Sequence, residues 1–511
     1  MHENFIVEMR KAKYLLILAL LAVMMAACNS TDDNLRAMVP DDAVGVVSID
    51  VNSVLTKAGM LRNDTVTVPQ ELKAVIEESD VTMLGDLLAF LPTSGFDFNT
   101  RWYVFFSPGI YKAVVLIPLK DEAQATKLIE KITSSQVKDL SGVDFVSHLD
   151  YGYAIEDDVL LIGRFSNPVD DEVAANAASA ILDKTKPSLL SNREVAEHID
   201  KDSCDLNAYI NVKGLSTILK SNSRLSTVFG NIPAIEIITD SDIKAMIANL
   251  NFSMSKDEGE CTKVNTLFTY NENGQYSTLY DNLIAASDEN AVEALAVIPG
   301  ELDTYVGIKI DGSKLAAQPQ MSKMFEILES SPFTSGLKYN DILSSIKGVM
   351  VFGFGDSQVS DYNFTVAAQT QDPSMIIDQI VAVASSRGQS PWQRKGEYIY
   401  DYENQGIALG QSSGVFYLRC VDFETGYSAA ELPVLPTNIN NSSVVVYKQI
   451  KVKNKTEGFF NWGLHDKSKG SGLYYTADEK QNVVVSLLKY LCWKDPNNTQ
   501  NAPEDDYDYG F

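Results

Sequence analysis

The chain has 511 residues, of which 45% are apolar and 22% are charged, and its formal net charge at pH 7 is −26. This composition is that of a globular protein and excludes a fibrous or a wholly disordered chain, and the length predicts two to four domains. The acidic bias argues against nucleic acid as a partner, because binding to a polyanion depends on Lys and Arg contacts.

The chain begins like a lipoprotein precursor. A basic stretch precedes an unbroken apolar run from Tyr14 to Ala27, which is too short to span a bilayer but suits the core of a signal peptide. Small residues then stand directly before Cys28, which resembles a bacterial lipobox, although Met25 occupies a position where Leu is commoner. Residues 1–27 are therefore predicted to be a cleaved leader and Cys28 the lipidated residue. The alternative is ordinary secretion with an incidental cysteine.

A polar, acidic segment follows the lipobox. Residues 28–38 are predicted to form a flexible tether, because the stretch directly after Cys28 has little to bury. Asp32 and Asp33 resemble the signal that sends lipoproteins of the Bacteroidota to the outer face of the outer membrane; the other interpretation is a solvated spacer. We expect a protein held at the outer membrane by acyl chains alone, since so acidic a body is repelled by anionic head groups.

The body contains an internal repeat. A β-branched run ends at Asp50, and a similar run ends at Asp311. Further strand patterns lead to Asp121 and Asp372, each placed to cap an apolar-periodic helix. A third match pairs the strands of residues 145–162 with those of residues 398–418. Three matches in the same order predict a duplication.

Adjacent groups of strands separated by single helices predict an α+β fold. We expect two duplicated halves, residues 39–295 and 296–493, each with a largely antiparallel sheet and with helices packed on one face. The acidic tail over residues 494–511 is predicted to be disordered. Clefts between domains commonly bind ligands, so any ligand is expected between the two halves.

These features resemble domain-of-unknown-function family 4836, lipoproteins of the Bacteroidota. The resemblance is carried by the lipobox at Cys28, by the stretch Val39-Pro40-Asp41-Asp42-Ala43-Val44, by the strand ending at Asp50, and by the echo of that strand from Pro299 to Asp311. It covers nearly the whole mature chain. It implies a location in the cell envelope and brings no activity or catalytic residue with it.

Patterns for catalysis are few. The motif Gly410-Gln411-Ser412-Ser413-Gly414 matches the sequence of a nucleophile elbow. A strand is predicted after it where a nucleophile elbow needs a helix, so a hairpin turn is the better interpretation. No histidine or cysteine pair has the spacing of a zinc site, so neither a metal nor a cofactor is predicted. Asp50 and Asp311 are the strand-end carboxylates to examine for acid/base chemistry, and helix caps are the alternative role.

One aromatic segment is a candidate for ligand contact. Phe459, Phe460, Trp462 and His465 lie between polar, lysine-bearing flanks in a predicted loop, and a segment of this kind can stack on a sugar ring or anchor a partner. Burial of this segment against its own domain is the favoured interpretation.

The remaining cysteines of the mature chain would lie in an oxidising compartment, where disulfides persist. Cys204 and Cys261 fall within one predicted subdomain, so they are the most plausible bridge, with Cys420 and Cys492 left over.

Together these observations predict a lipid-anchored envelope protein that acts as a non-enzymatic binding or structural module for a macromolecule or ligand of unknown identity. A surface hydrolase that acts on glycans or peptides is the alternative. A concave pocket with two convergent carboxylates, or with a Ser/His pair, would distinguish the two.

Overall fold

The computed structural model describes residues 33–62, 65–78, 91–199, 203–214, 242–255, 259–281, 304–318, 336–354, 364–386, 392–394, 400–402, 407–412, 414–420, 442–452, 455–478 and 480–492, together with positions 321, 325, 326 and 329. The predicted leader with Cys28 and the predicted tail over residues 494–511 lie outside the described residues.

Several helices begin where the sequence supplies a cap. The carboxylate of Asp121 accepts a hydrogen bond from the Gln124 amide, and that of Asp170 accepts one from the Glu172 amide. The helices are α1 (Asp33–Ala37), α2 (Val51–Lys57), α3 (Gln70–Glu78), α4 (Glu122–Thr133), α5 (Asp171–Leu182), α6 (Arg193–Ile199), α7 (Gln275–Leu279), α8 (Gly312–Ala316), α9 (Tyr339–Ser345), α10 (Pro373–Ser386) and α11 (Val483–Cys492).

The strands of the described part follow the β-branched and aromatic runs of the sequence. They are β1 (Gly45–Ile49), β2 (Leu61–Arg62), β3 (Thr65–Val66), β4 (Trp102–Phe106), β5 (Tyr111–Pro118), β6 (Lys138–Leu140), β7 (Val143–His148), β8 (Tyr151–Glu156), β9 (Val159–Phe165), β10 (Leu206–Asn211), β11 (Ile243–Ser255), β12 (Gly259–Tyr270), β13 (Thr304–Asp311), β14 (Ile346–Phe354), β15 (Phe364–Thr370), β16 (Trp392–Arg394), β17 (Tyr400–Tyr402), β18 (Ile407–Ser412), β19 (Val415–Cys420), β20 (Val444–Val452), β21 (Lys455–Leu464) and β22 (Lys469–Thr476).

All of these strands except β2 and β3 belong to one antiparallel sheet, which has 20 strands within the described residues. From one edge to the other the order is β6-β7-β8-β9-β5-β4-β1-β10-β11-β12-β22-β21-β20-β13-β14-β15-β19-β18-β17-β16. The α+β fold with a largely antiparallel sheet is thus confirmed.

The two halves meet where β12 pairs with β22. Val264 lies opposite Gly472 at the middle of this pairing. Outward from β12 the order is β11-β10-β1-β4-β5-β9-β8-β7-β6, and outward from β22 it is β21-β20-β13-β14-β15-β19-β18-β17-β16. Each strand of the first half therefore has a counterpart at the same place in the second half.

Helices cover both faces of the first half, which differs from the predicted single face. Residues of β4 and β5 alternate between two apolar clusters: Val104 packs with α4 and Tyr103 packs with α5. The reason lies in the composition of these strands, which are apolar at consecutive positions and must be covered on both sides.

The tether is shorter than predicted. Residues from Asp33 onward form α1, where Leu35 is 0% exposed and Met38, just after the helix, is 1% exposed. These two apolar side chains lie three positions apart, so they share one face of the short helix and pack into the core of the first half.

The last described helix joins the halves. In the first half, Leu72 of α3 packs in the same apolar cluster as Val483, Val484 and Leu488 of α11. The Asn482 side-chain amide also donates to the Lys57 carbonyl, 425 positions earlier, at 2.8 Å. Contact between the halves therefore involves helix packing as well as the shared sheet.

Candidate functional site

The aromatic segment that was predicted to be a loop is instead strand β21, in the central part of the sheet. It pairs with β20 on one side and with β22 on the other. Successive side chains of a strand point to opposite faces, so Phe459 and Phe460 cannot share a surface. The prediction of one aromatic loop surface is therefore wrong.

Phe460 and Trp462 lie on the face covered by α11. Phe460 packs at the edge of the apolar cluster that contains Val484 of this helix. The Trp462 indole N–H donates to Thr266 Oγ1 at 3.0 Å, and its ring meets Phe268 edge-on at 6.3 Å. These two aromatic residues thus have structural partners within the junction between the halves.

Phe459 lies on the other face, in a row of aromatic rings that crosses four strands. Ring centroids are 5.9 Å apart for Tyr305 and Tyr447, 6.3 Å for Tyr447 and Phe459, and 5.4 Å for Phe459 and Tyr475. Burial raises the pKa of Tyr475 and of Tyr447 above the ordinary value, because the phenolate loses its hydration. We call these four residues the aromatic row. Asn461 lies on the same face, directly opposite Tyr447.

His465 directly follows β21 and lies between two serine hydroxyls. Its Nε2 is 2.6 Å from Ser471 Oγ, and its Nδ1 is 3.2 Å from Ser442 Oγ. Ser442 is buried, whereas the His465 ring is exposed. A Ser/His contact of this length can activate a serine hydroxyl when a third group orients the imidazole. Here that third group is a hydroxyl and not a carboxylate.

Asp50 and Asp311 occupy the same position in their halves, and both cap a short helix. The Asp50 carboxylate accepts from the Ser53 amide at 3.0 Å, and the Asp311 carboxylate accepts from the Lys314 amide at 3.2 Å. The capping role, which was the alternative to acid/base chemistry, is the one that the structure displays.

Asp50 belongs to a buried group of charges at the end of β1. Burial raises the pKa of the Asp50 carboxyl, opposed by the Ser53 amide and by the positive charge of Arg101. The Arg101 guanidinium donates to Ser48 Oγ and to the Cys204 carbonyl, each at 3.1 Å. These two hydrogen bonds link Arg101 to β1 and to the residue two positions before β10.

Asp205 is the centre of this group, and the sequence patterns did not single it out. Its carboxylate accepts from Lys57 Nζ at 2.7 Å, from Ser53 Oγ at 2.5 Å and from the Phe252 amide at 2.6 Å. The Asp205 side chain is only 3% exposed. A lone acidic residue at the start of an apolar strand was the only available signal, and its partners lie far away in the sequence.

A polar groove of about 590 Å³ separates α3 of the first half from α11 of the second. Lys489 spans it, with Nζ 3.1 Å from Glu457 Oε2 and 3.8 Å from Glu71 Oε2. Glu457 is only 6% exposed and also accepts from the Gln481 side-chain amide. The groove lies between the halves, where a ligand was predicted. Lys489 is paired with acidic side chains there, and Lys455, Asp478 and Lys480 also line the groove.

No disulfide joins Cys204 and Cys261, which are both buried thiols. Cys204 precedes β10, Cys261 lies in β12, and β11 runs between these two strands. Two interstrand spacings amount to about 9.5 Å, whereas a disulfide needs Cα atoms within about 7 Å. The predicted bridge is therefore wrong; the side chains of Cys420 and Cys492 lie outside the described residues.

Three further observations concern the described residues only. Gly410 to Ser412 form the end of β18, which pairs antiparallel with β19, and Gly414 directly before β19 has φ +79°, which confirms the hairpin interpretation. No group of three or more His, Cys, Asp or Glu side chains is arranged to hold a metal ion in the described part. None of its helices has the length and apolar character needed to cross a bilayer.

The chain is similar to several solved structures at low scores. "Structure of crystal form III of TP0453" matches with 11% identity over 50% of this chain and 87% of that one, at a TM-score of 0.30. "Structure of crystal form IV of TP0453" matches with 13% identity over 47% and 81% of the two chains, at a TM-score of 0.29. Scores this low carry no argument about fold or function.

No curated protein matches the chain. The profile of the family described as "Domain of unknown function (DUF4836)" matches residues 35–390, which is more than half of the sequence. The matched region runs from α1 to the residues just after α10. The chain therefore belongs to this family of unknown function.

Proposed function

We propose that this protein is a lipid-anchored protein of the bacterial cell envelope that acts as a non-enzymatic binding or structural module. The observation that carries the proposal is the junction of the halves. One sheet continues through both halves, α11 packs against α3, and a groove of about 590 Å³ lies between them. A continuous sheet holds such a surface rigidly, as a binding or scaffolding module requires.

The hydrogen bonds that the buried carboxylates make within the protein favour a binding role over a catalytic one. Asp205 is saturated by Lys57, Ser53 and the Phe252 amide, and Asp50 is engaged as a helix cap. A general acid or base must reach a proton of the substrate. These two carboxylates already serve partners within the protein.

The anchor places the folded body close to a bilayer. If Cys28 carries the acyl chains, only residues 29–32 separate it from α1, which begins at Asp33. Five residue steps in extended conformation span at most about 17 Å. We propose attachment to the outer membrane, with the cell surface as the exposed side, supported by the acidic pair after Cys28. The surface that faces the membrane would then be fixed by the position of α1.

Substitution of the lipidation site tests the anchor. Cys28→Ala is expected to move the protein from the membrane fraction to the soluble fraction and to abolish labelling by an alkyne fatty acid. Cys204→Ala is the matched control, because this thiol is buried and should leave both readouts unchanged. Fatty-acid labelling that persists in Cys28→Ala would show that the anchor assignment is wrong. Protease accessibility on whole cells then reports which side of the outer membrane the body occupies.

We also propose that the halves arose by duplication. The shared strand order and the equivalent caps at Asp50 and Asp311 support this origin. Asp121 and Asp372 support it as well, since each follows its strand and caps the next helix. Superposition of one half on the other is expected to bring both pairs of aspartates together. Placement of either pair in unrelated elements would contradict the duplication.

Hydrolysis is the second candidate function, and the contact of His465 with Ser471 is what favours it. The test is reaction with a fluorophosphonate probe, which labels activated serines. Labelling that disappears in Ser471→Ala and in His465→Gln would support a peptide hydrolase that acts through this serine; glycan hydrolysis would need a pair of carboxylates instead. Absence of labelling in the native protein is the result expected from the binding role.

A further inference from the structure

Asn461 has an unusual environment for a buried side chain. It is 0% exposed, and within the described part of the chain neither its Nδ2 nor its Oδ1 has a hydrogen-bond partner. A carboxamide offers two donors and one acceptor oxygen with two lone pairs. More than nine-tenths of buried polar groups in proteins are hydrogen-bonded, so one that is not requires an explanation.

A second unsatisfied group lies nearby. The Tyr475 hydroxyl is buried, and no hydrogen-bond partner for it occurs among the described residues. Tyr475 lies opposite Phe459, and Asn461 lies opposite Leu473, so the tyrosine and the asparagine are diagonal neighbours on one face. Side chains in that relation are about 7 Å apart. Two groups, each able to donate and to accept, therefore point to the same side of the sheet.

Aromatic rings make up much of the surroundings of this pair. Phe459 and Tyr475 have their rings inclined by 32°, and Tyr447 and Phe459 by 28°. Tyr447 and Leu473 lie directly opposite Asn461, and Phe459 and Gly463 flank it along β21. The diagonal positions on this face are held by Tyr475, Ser471, Gln449 and Val445. Among the described residues that adjoin Asn461 itself none is charged, and the charged Lys263 of β12, opposite Leu473, is exposed to solvent.

The site borders an accessible surface. Phe459, Leu473 and Tyr475 are half-buried, and Lys263 and Asn265 of the adjacent β12 are exposed. The site thus lies beside the junction of β12 and β22.

We propose that Asn461, Tyr475 and the aromatic row form a binding site for a neutral carbohydrate. Hydroxyl groups of a sugar both donate and accept, which matches the carboxamide and the phenol, while its apolar C–H faces suit flat aromatic rings. This inference rests on the proposed binding role and specifies its ligand class. It is independent of the acyl anchor, whose failure fatty-acid labelling would reveal separately.

The effect of substitution on stability distinguishes a ligand-binding asparagine from a structural one. Replacement of an unpartnered buried amide by an apolar side chain of similar size is neutral or stabilising for the fold, because no hydrogen bond is lost. Asn461→Leu should therefore leave the unfolding temperature unchanged or raise it. The same substitution should weaken sugar binding by about tenfold or more.

Asn207→Leu is the matched control. Asn207 is also 0% exposed in the sheet, but its carboxamide oxygen accepts from Asn249 Nδ2 at 2.7 Å. This substitution should lower the unfolding temperature and leave sugar affinity unchanged. Tyr475→Phe removes one hydroxyl and should weaken binding by about fivefold; it decides the matter if Asn461→Leu does not fold.

The experiment uses the full mature lipoprotein in detergent on an array of neutral glycans that includes maltohexaose, cellohexaose and chitohexaose, followed by calorimetry with whichever of these three binds. Binding that is lost in Asn461→Leu and weakened in Tyr475→Phe supports the site. The proposal is overturned if the native protein binds no neutral glycan on the array, or if both variants bind as the native protein does. A loss of stability in Asn461→Leu equal to that in Asn207→Leu also overturns it, since the amide would then have a structural partner.

Discussion

The two halves have the same strand order but fill it with different side chains. Beside Ile49 in the first half lies Trp102, whereas beside Ile310 in the second half lies Gly348. The next position that faces the other side of the sheet shows the same contrast: Tyr103 lies beside Ser48, and Val349 beside Lys309. Large rings occupy the first half where the second half has small side chains.

This difference teaches that strand order and core volume are set separately. Topology depends on the positions of strands, turns and caps, and these recur in both halves. Stability depends on the apolar area that each half buries. The second half buries smaller side chains at these matched positions, and it also holds the unsatisfied Asn461 and Tyr475. We infer that the first half supplies stability and that the second half carries the binding surface.

The largest expected effect is that of Trp102→Ala. Trp102 is 0% exposed, its indole N–H donates to the Asp97 carbonyl at 3.1 Å, and its ring meets Phe96 edge-on at 5.7 Å. Loss of this side chain should cost about 3–5 kcal/mol of unfolding free energy. The measurement is urea denaturation combined with hydrogen exchange of the β4 and β5 amides. A cost below about 1 kcal/mol would contradict a division in which the first half supplies stability.

The second prediction concerns Asp205→Ala, which should cost about 3 kcal/mol because Lys57 and the Phe252 amide lose their buried acceptor. Lys57 is 29% exposed, so water can reach part of its charge and the cost falls at the low end for a broken buried pair. Asp311→Ala in the second half is the comparison. It removes only a cap and should cost about 1 kcal/mol. Equal costs for the two variants would show that the charge cluster contributes nothing special to the first half.

A smaller effect is expected for Gly348→Ala. Gly348 has φ +119°, a conformation that residues with a Cβ adopt only with strain, and a Cβ there would lie 2.3 Å from Gln369 Oε1. The cost should be about 1–3 kcal/mol. Gly59→Ala is the control for positive φ without crowding, because nothing lies within 4 Å of a Cβ at that position. Thermal unfolding of the two variants compares strain alone with strain plus contact. Equal shifts would show that Gln369 moves away freely.

The smallest expected effect is a pH dependence at Asp50. Burial raises the folded-state pKa of this carboxyl above its ordinary value of 3.8. The folded state then holds the proton to higher pH than the unfolded state, so stability falls as pH rises from about 3.8 through the raised value. Asn caps a helix as well as Asp does but does not ionise. The free energy of unfolding of Asp50→Asn minus that of the native protein should therefore be larger at pH 7 than at pH 4.

Urea denaturation at the two pH values measures this effect. Asp50→Ala serves as the control, because it loses the cap at both pH values, at a cost of about 1 kcal/mol. If Asp50→Asn instead loses more stability at pH 7 than at pH 4, attraction to Arg101 and Lys57 outweighs burial.

Local features were within reach of sequence reasoning. The caps at Asp121 and Asp372, the hairpin turn at Gly414 and the α+β class all depend on contacts within a few residues or on the periodicity of apolar positions. The family followed in the same way, since its motifs are short stretches of strand and turn. Such signals depend only on residues that are close together in the sequence, so they can be interpreted without knowledge of the fold.

The candidate site depended on distant contacts. Whether the segment with Phe459 is a loop or a strand depends on its pairing with both β20 and β22, because the same aromatic residues suit either structure. Asp205 reaches Lys57 across 148 positions, and no local pattern encodes that distance. The state of Asn461, buried without a partner, is a property of its three-dimensional surroundings. The sequence by itself therefore determined the fold class, the helix caps and the family. Only the tertiary structure decided how the halves join and which side chains meet at the junction, because those contacts form between residues far apart in the chain.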